Sequence, residues 1–183
     1  YYIGDASGLP PPFTTHHGYM PCVTIPKAIA PKNNVMSIIF SQKQYTFGHK
    51  YRHTLVSAIL KTRLPIDIWG RGCDFYDVSD VRIRGKFTET EPYDSYMFTI
   101  AIENVQTPCY FSEKLLNPLV YHTTPLYYGV KENPFKDYVI PLCGDLSKDL
   151  VVIAKVCGAP ATYIKNIDRD SIIRYMNIDK EFQ

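Results

Sequence analysis

Short apolar runs alternate with amphipathic stretches along most of the chain. Residues 35–40 form an almost continuous apolar run, which is typical of a buried strand. Residues 49–63 follow with apolar positions at the spacing of a helix that lies on a sheet, and Pro65 ends this stretch. These apolar positions are Leu55, Val56, Ile59 and Leu60. The next apolar run, residues 66–70, completes a strand–helix–strand unit, whose two strands are expected to pair in parallel.

The same alternation recurs downstream. We predict strands at residues 96–102, 125–129 and 138–142, and helices at 112–122, 146–156, 160–167 and 171–176. Pro118 lies inside one of these helices and should kink it. Residues 70–91 carry no clear pattern apart from a short strand at 81–84. Alternating strands and helices predict an α/β fold with a Rossmann-like, doubly wound, mostly parallel sheet.

The chain divides by composition into two parts. Residues 1–34 are rich in Pro, Gly, Thr and His and lack periodicity, so we interpret them as an extended leading segment or the remnant of a linker. Residues 35–183 are the predicted ordered domain. The chain begins with Tyr1 rather than Met, and it shows no leader peptide and no run of about 20 consecutive apolar residues. These features are expected of an excised or processed piece.

Charge is unevenly distributed along the chain, although the net charge is only +2. No Asp or Glu occurs between Ala6 and Ile66, and this interval holds seven cations. They are Lys27, Lys32, Lys43, Lys50, Arg52, Lys61 and Arg63. One end of the molecule should therefore be electropositive and prefer an anionic ligand. Because these cations are spread out and no RNA-binding aromatic signature accompanies them, a small phosphate ligand fits better than nucleic acid.

In an open parallel sheet, ligands bind beyond the carboxyl ends of the strands, where helix N-termini favour phosphates. Arg52 lies in the first turn of the first predicted helix, on the face that Leu55 and Val56 turn towards the sheet. A cation on this sheet-facing side is poorly explained as a solvated surface charge, and the planar guanidinium of Arg52 suits contact with a phosphate. The alternative is an ion pair with a carboxylate such as Asp67.

A second group of polar residues surrounds the strand at 96–102. The strand runs into Glu103 and Asn104, and after a short loop Ser112 can cap a helix whose first turn carries Glu113 and Lys114. The helix dipole disfavours a lysine at this position, so Lys114 is a candidate phosphate ligand. Glu113 is a candidate acceptor for sugar hydroxyls.

These residues resemble the family 10 (α-1,3/1,4) fucosyltransferases over about residues 35–145. In that family a strand ends in Phe-Glu-Asn and a short loop follows. The next helix then opens with Tyr, two further residues and Glu-Lys. The matching features here are the strand ending in Glu103 and Asn104, the helix opening from Tyr110 to Lys114, Pro125 to Gly129, Ser41, Arg52 and Gly70 to Cys73. Ile102 replaces the usual Phe and Ser112 the usual Thr.

The resemblance implies the C-terminal, nucleotide-sugar-binding half of a GT-B-type glycosyltransferase. Its donor would be GDP-fucose, its reaction the inverting transfer of fucose to a hydroxyl of a glycan acceptor, and it would need neither a cofactor nor a metal. By the same resemblance, Arg52 and Lys114 would neutralise the diphosphate and, with Glu113, carry the catalysis. The donor-binding residues would be Ser41, Arg52, Asn104, Tyr110, Glu113 and Lys114. The family takes its general base from an N-terminal acceptor-binding domain, which is essentially missing because Asp5 is the one acid before residue 67.

Other interpretations remain open at the level of sequence. The chain could bind the donor yet be inactive alone, or use another nucleotide sugar such as GDP-mannose. A metal-dependent transferase needs an Asp-x-Asp, and the one example, Asp168-Arg169-Asp170, is better explained by Asp170 capping the last helix. His49 and His53 have helical zinc-ligand spacing but no evident third ligand, and the five cysteines form no Cys-x-x-Cys motif.

Overall fold

The structure, a computed structural model, describes residues 24–77, 79–108 and 110–178, with the backbone alone at 177 and 178. Residues 1–23 of the predicted leading segment lie outside this part of the chain. Residues 24–33 contain no helix or strand, but they are tied to the domain. The Tyr121 hydroxyl donates to the Thr24 carbonyl at 2.9 Å, and Lys32 Nζ donates to the carbonyls of Tyr93 and Asp94 at 3.0 and 2.8 Å. A division of the chain at residue 34 stays a prediction.

One parallel sheet organises the described chain. Its strands are β1 (Asn34–Ile39), β2 (Ile66–Trp69), β3 (Ile83–Gly85), β4 (Tyr96–Ile102), β5 (Thr124–Tyr128) and β6 (Ile140–Pro141). Their spatial order is β3-β2-β1-β4-β5-β6, and every neighbouring pair is parallel. The predicted α/β, Rossmann-like, doubly wound fold is confirmed.

Helices cover both faces of this sheet. They are α1 (Phe47–Leu60), α2 (Glu91–Asp94), α3 (Glu113–Val120), α4 (Leu146–Gly158), α5 (Pro160–Tyr163) and α6 (Arg169–Ile178). The α1 and α4 helices share one apolar core with the sheet, and α2, α3 and α6 share the other. Burial on both faces explains why the strands are almost continuously apolar. None of these helices combines the length and apolar character needed to cross a bilayer.

Some helices and strands begin or end at other residues than predicted, because local caps and turns set their boundaries. The α1 helix begins two residues earlier than predicted because Thr46 caps it by accepting from the backbone N–H of His49. The predicted strand at 138–142 shrinks to two residues after a 3-10 turn at Lys136–Tyr138. The unassigned stretch 70–91 contains another 3-10 turn at Arg71–Phe75 and the short β3 strand. Pro118 falls near the end of α3, which stops two residues later.

The start of α1 lies directly against the end of β4. The Gly48 N–H donates to the Asn104 carbonyl at 2.9 Å. A Cβ at Gly48 would come within 1.8 Å of the Glu103 carbonyl oxygen, far inside van der Waals contact. Only glycine therefore lets the helix approach the strand end this closely.

Replacing Gly48 with Ala should destabilise the protein, because backbone atoms that cannot rotate away would have to shift. We expect the free energy of unfolding to fall by about 1–3 kcal/mol in a urea titration. Gly158→Ala is the matched control, since Gly158 ends α4 and a Cβ there has no neighbour within 4 Å. That change should be neutral or stabilising by up to about 1 kcal/mol. Equal effects of the two substitutions would contradict the close approach.

Candidate functional site

The sheet order places a crevice between the carboxyl ends of β1 and β4. The chain leaves β1 towards β2 through α1, and it leaves β4 towards β5, on the other side, through α3. Strand connections that diverge in this way leave a gap between the two strand ends, where ligands bind in open α/β sheets. A cavity of about 610 Å³ opens there.

Five of the six predicted donor-binding residues line this cavity. They are Ser41, Arg52, Asn104, Glu113 and Lys114. They come from the loop after β1, from α1, from the end of β4 and from α3, so four separate parts of the chain meet at one place. Arg52 and Lys114, on different helices, face the same space.

The sixth residue, Tyr110, does not line the cavity. The residue is 40% exposed, and partial burial together with the nearby Glu103 carboxylate raises the pKa of its phenol. Tyr110 lies shortly before the start of α3, and a contact between its hydroxyl and a ligand stays a prediction.

Arg52 is buried and holds two elements together. One guanidinium nitrogen donates to the Ile102 carbonyl and the other to Asn104 Oδ1, the latter at 2.6 Å. Burial lowers the pKa of Arg52 to about 10, so the side chain is still a cation at neutral pH. These two bonds occupy part of a group with five N–H donors. The guanidinium can therefore be fixed by the protein and still meet an anion.

The alternative, an ion pair of Arg52 with a carboxylate such as Asp67, is wrong, since Arg52 forms no ion pair with the described residues. Asp67 instead accepts a hydrogen bond from the Tyr96 hydroxyl at 2.6 Å and pairs with Arg84 at 3.1 Å. It lies on β2, one strand further from the crevice than β1, and its partners come from β3 and β4. The polar partners of Arg52 are at the end of β4.

Glu103 does not line the cavity, but its hydrogen bonds position residues that form the site. Its buried carboxylate accepts from the Ser112 backbone N–H at 2.8 Å and from the Ser112 hydroxyl at 2.7 Å. It also accepts from the Tyr127 hydroxyl at 3.3 Å and lies 3.7 Å from Lys114 Nζ. Negative charge at a helix N-terminus is favourable, so Glu103 fixes where α3 starts. Sequence reasoning noted Glu103 in the motif but gave it no role in the site.

Glu113 and Lys114 form a pair at the cavity surface. Lys114 Nζ donates to Glu113 Oε1 at 2.9 Å and to the Ser112 hydroxyl at 3.1 Å. The two contacts hold a long, flexible side chain in one place. A ligand therefore meets a positioned cation next to a carboxylate that retains acceptor capacity.

Cations outnumber carboxylates around the cavity. The cationic lining residues are Lys43, Arg52, Arg71, Lys86 and Lys114, and the acidic ones are Glu89 and Glu113. This excess favours an anionic ligand.

Of the seven cations in the acid-free interval of the sequence, Lys43 and Arg52 line the cavity. Lys32 lies at the opposite, amino ends of the central strands, where burial lowers its pKa to about 8. Sequence reasoning missed Arg71 and Lys86 as lining residues. Arg71 stands inside the Gly70 to Cys73 motif, which could have revealed it, whereas Lys86 follows a strand that was poorly defined in the sequence.

The two histidines of α1 are engaged with the protein. His49 lines the cavity and its Nδ1 accepts from the Thr46 backbone N–H at 3.4 Å, while His53 Nε2 donates to the Ser41 carbonyl at 2.9 Å. Burial, followed by the positive charge of Arg52, lowers the pKa of His49 below 6.5. His49 is thus neutral at pH 7. No group of three or more potential metal ligands occurs within residues 24–77, 79–108 and 110–178.

Binding of an anion in the cavity should raise the pKa of His49. An anion next to Arg52 and Lys114 offsets the positive charge that disfavours the imidazolium, so the complex takes up protons. Sulfate, which stays fully ionised near neutral pH, should consequently bind more tightly as the pH falls below about 7, and NMR titration of the His49 ring with and without sulfate measures the effect. His49→Gln is the control and should weaken this pH dependence. A titration curve that sulfate leaves unchanged would contradict the prediction.

Comparison with known proteins shows which family the chain resembles. The family model described as "Glycosyltransferase family 10 (fucosyltransferase) C-term" matches residues 29–143, which is more than half of the chain. A "Putative fucosyltransferase" of Acanthamoeba polyphaga mimivirus is 33% identical over 95 residues, covering 46% of this chain and 15% of the viral protein.

Solved structures show the same fold at low sequence identity. An α1,3-fucosyltransferase structure superposes with a TM-score of 0.51 and 18% identity, covering 72% of this chain and 37% of the other. An α1,3-fucosyltransferase structure with GDP-fucose gives a TM-score of 0.52 and 16% identity, covering 80% of this chain and 47% of the other. The chain thus spans less than half the length of each of these proteins.

Proposed function

Because the chain belongs to glycosyltransferase family 10, the fucosyltransferases, we propose that it binds GDP-fucose and serves an inverting transfer of fucose to a glycan hydroxyl. The observation that carries this proposal is the position of the cations. Arg52 and Lys114 both line the cavity of about 610 Å³ at the carboxyl ends of β1 and β4. A cavity of this size is in the range of small-ligand sites, and its charge suits a diphosphate.

The proposed mechanism follows from where charge develops. When the bond between fucose and phosphate breaks, negative charge accumulates on the departing diphosphate. Arg52 is held by the Ile102 carbonyl and Asn104, and Lys114 by Glu113 and Ser112, so both cations are in place before the reaction. Preorganised cations stabilise the transition state more than the ground state.

The remaining hydrogen-bonding groups of the cavity suit the sugar and ribose hydroxyls. Asn104 Oδ1 is occupied by Arg52, which orients the side-chain NH₂ and leaves it able to donate. Glu113 accepts from Lys114 through Oε1 and has lone pairs left for hydroxyls. We assign both residues, together with Ser41, to donor binding.

The acceptor hydroxyl needs a general base. Glu113 is paired with Lys114, and Glu89 lies on the exposed rim. The resemblance to the family implies a base outside residues 24–178, and we adopt that position in the proposal.

A donor-binding module that does not transfer alone is the second candidate. It is favoured by the short span of the chain relative to the solved fucosyltransferases. Calorimetry with GDP-fucose, GDP-mannose and GDP, run beside a transfer assay with glycan acceptors, tests both candidates. Binding with turnover supports the enzyme, binding without turnover supports the module, and no binding of any GDP compound would contradict both.

Replacing Lys114 with Ala should weaken the binding of GDP by roughly ten- to a hundredfold, since a charge-assisted hydrogen bond contributes about 1.5–3 kcal/mol. Lys50→Ala is the matched control, because Lys50 is an exposed lysine on α1 that does not line the cavity. It should leave the affinity within about twofold of wild type. Calorimetry measures both, and wild-type affinity in Lys114→Ala would contradict the proposed diphosphate site.

The Arg52→Ala variant should differ from Lys114→Ala in one respect. It should lose GDP affinity to a similar extent or more, and it should also unfold more easily. The reason is that the Ile102 carbonyl and Asn104 Oδ1 would lose their buried donor. We expect the free energy of unfolding to fall by about 1–3 kcal/mol in a urea titration. Unchanged stability would show that the guanidinium does not join α1 to β4.

A further inference from the structure

The charge of the cavity lining changes from one end to the other. The cations Lys43, Arg71 and Lys86 closely follow the carboxyl ends of β1, β2 and β3, and Lys114 lies at the start of α3. From there α3 runs for eight residues, about 12 Å, towards the amino ends of the strands. The strand residues that line the cavity, Thr99 to Ile102, are uncharged.

A second wall of the cavity runs in the same direction. Residues 86–90 connect the carboxyl end of β3 with α2, which precedes the amino end of β4. Lys86 lies where this segment leaves β3, and Glu89 lies three residues closer to α2. The Thr24 hydroxyl donates to the Glu89 carboxylate at 3.5 Å, and the Thr24 carbonyl accepts from Tyr121, the residue after α3. Glu89 therefore lies at the end of the cavity remote from the cations.

Glu89 is the acid of the lining that keeps acceptor capacity. The other acid, Glu113, pairs with Lys114 at 2.9 Å. Glu89 is exposed, and within the described part of the chain its carboxylate forms no ion pair and has only the long contact with Thr24. An ionised carboxylate accepts hydrogen bonds and repels phosphate oxygens. This end of the cavity therefore suits the N–H or O–H donors of a ligand whose anionic part lies with the cations.

An aromatic side chain lies between the two charged ends. Phe87 lines the cavity from the same segment and is half-buried. Its ring packs edge to face against Trp69, with centroids 6.5 Å apart and an angle of 83° between the planes, which holds the ring in place. Nucleobases stack on aromatic side chains. The middle of the cavity thus suits a flat base whose polar edge points towards Glu89.

The chemistry of a carboxylate narrows the choice of base. Its two oxygens can accept from two neighbouring N–H groups at once. Guanine presents such a pair, N1–H and the 2-amino group, on one edge. Adenine and cytosine present an amino group beside an unprotonated ring nitrogen, which a carboxylate repels, and uracil presents one N–H between two carbonyl oxygens. A carboxylate at this end of the cavity therefore favours guanine.

We propose that Glu89 is a specificity-determining residue whose carboxylate accepts hydrogen bonds from N1–H and the 2-amino group of guanine. This inference rests on the proposed function, since it requires the diphosphate to lie with Arg52 and Lys114 at the other end of the cavity. It gives a role to an acid that the proposed diphosphate site does not use.

Glu89→Gln tests the inference, because glutamine keeps the size of the side chain and replaces one acceptor oxygen with an NH₂ donor. Calorimetry on the 183-residue chain should show an affinity for GDP about tenfold lower. The affinity for ADP should rise, since the amide can donate to adenine N1 and accept from its 6-amino group. Charge alone would have the opposite effect on GDP, because removing a carboxylate strengthens the binding of an anion.

Inosine diphosphate, which differs from GDP by lacking the 2-amino group, isolates one of the two hydrogen bonds. It should bind wild type less tightly than GDP, and it should lose less affinity than GDP in Glu89→Gln. Because Glu89 is exposed, the thermal stability of the variant should match that of wild type. Equal binding of GDP and inosine diphosphate to wild type would contradict the contact with the 2-amino group.

Glu132→Gln is the matched control. Glu132 is also an exposed acid, but it pairs with Lys136 at 2.7 Å and does not line the cavity. The substitution changes the net charge by the same amount, so this variant should bind GDP, inosine diphosphate and ADP as wild type does. A loss of GDP affinity as large as that of Glu89→Gln would overturn the inference.

The remaining outcomes separate the inference from the function on which it rests. If wild type binds GDP and Glu89→Gln binds it at least as tightly, the inference is overturned and the proposed function stands. A variant that loses affinity for GDP-fucose but not for GDP would place the partner of Glu89 in the sugar, which also overturns the inference. If wild type binds neither GDP-fucose nor GDP, the proposed function fails, and the inference fails with it.

Discussion

The buried guanidinium of Arg52 joins the two halves of this fold. It projects from the first helix and donates to the Ile102 carbonyl and to Asn104 at the end of β4, across the point where the strand connections diverge. The close packing of Gly48 against Glu103 brings helix and strand near enough for these bonds. The site therefore exists because one cation is held between the β1–α1 and β4–α3 units.

Opposite charges at the end of β4 have different tasks. Glu103 points towards the second unit, where it accepts from Ser112 and fixes the start of α3. Arg52 approaches from the first unit and faces the cavity. The carboxylate is satisfied within the protein, whereas the cations Arg52 and Lys114 retain donors. The cavity thus has an excess of positive charge that a bound anion would balance.

The distribution of polarity within the cavity matches the chemistry of a nucleotide sugar. Cations lie at the strand ends and helix starts, and the uncharged lining of Thr99 to Ile102 lies behind them. A ligand with a charged centre and neutral, hydroxyl-bearing ends would satisfy both regions at once.

The sequence alone determined the elements and the motif. Apolar runs and amphipathic stretches depend on local periodicity, which is why the strands at 66–70 and 96–102 and the helix of Arg52 were predictable within a few residues. The motif from Glu103 to Lys114 indicated the family for the same reason, since its residues lie close together in the chain. Local spacing was also sufficient to place Arg52 on the face that meets the sheet.

The tertiary structure decided which of these residues meet. Arg52 pairs with the end of β4 rather than with Asp67, and Lys32 lies at the amino ends of the strands although it shares the acid-free interval with Lys43. Arg71 and Lys86 line the cavity from a stretch of the chain that carries no periodic signal. Strand order and helix packing set these distances, and both depend on contacts between residues far apart in the chain, which no local pattern records.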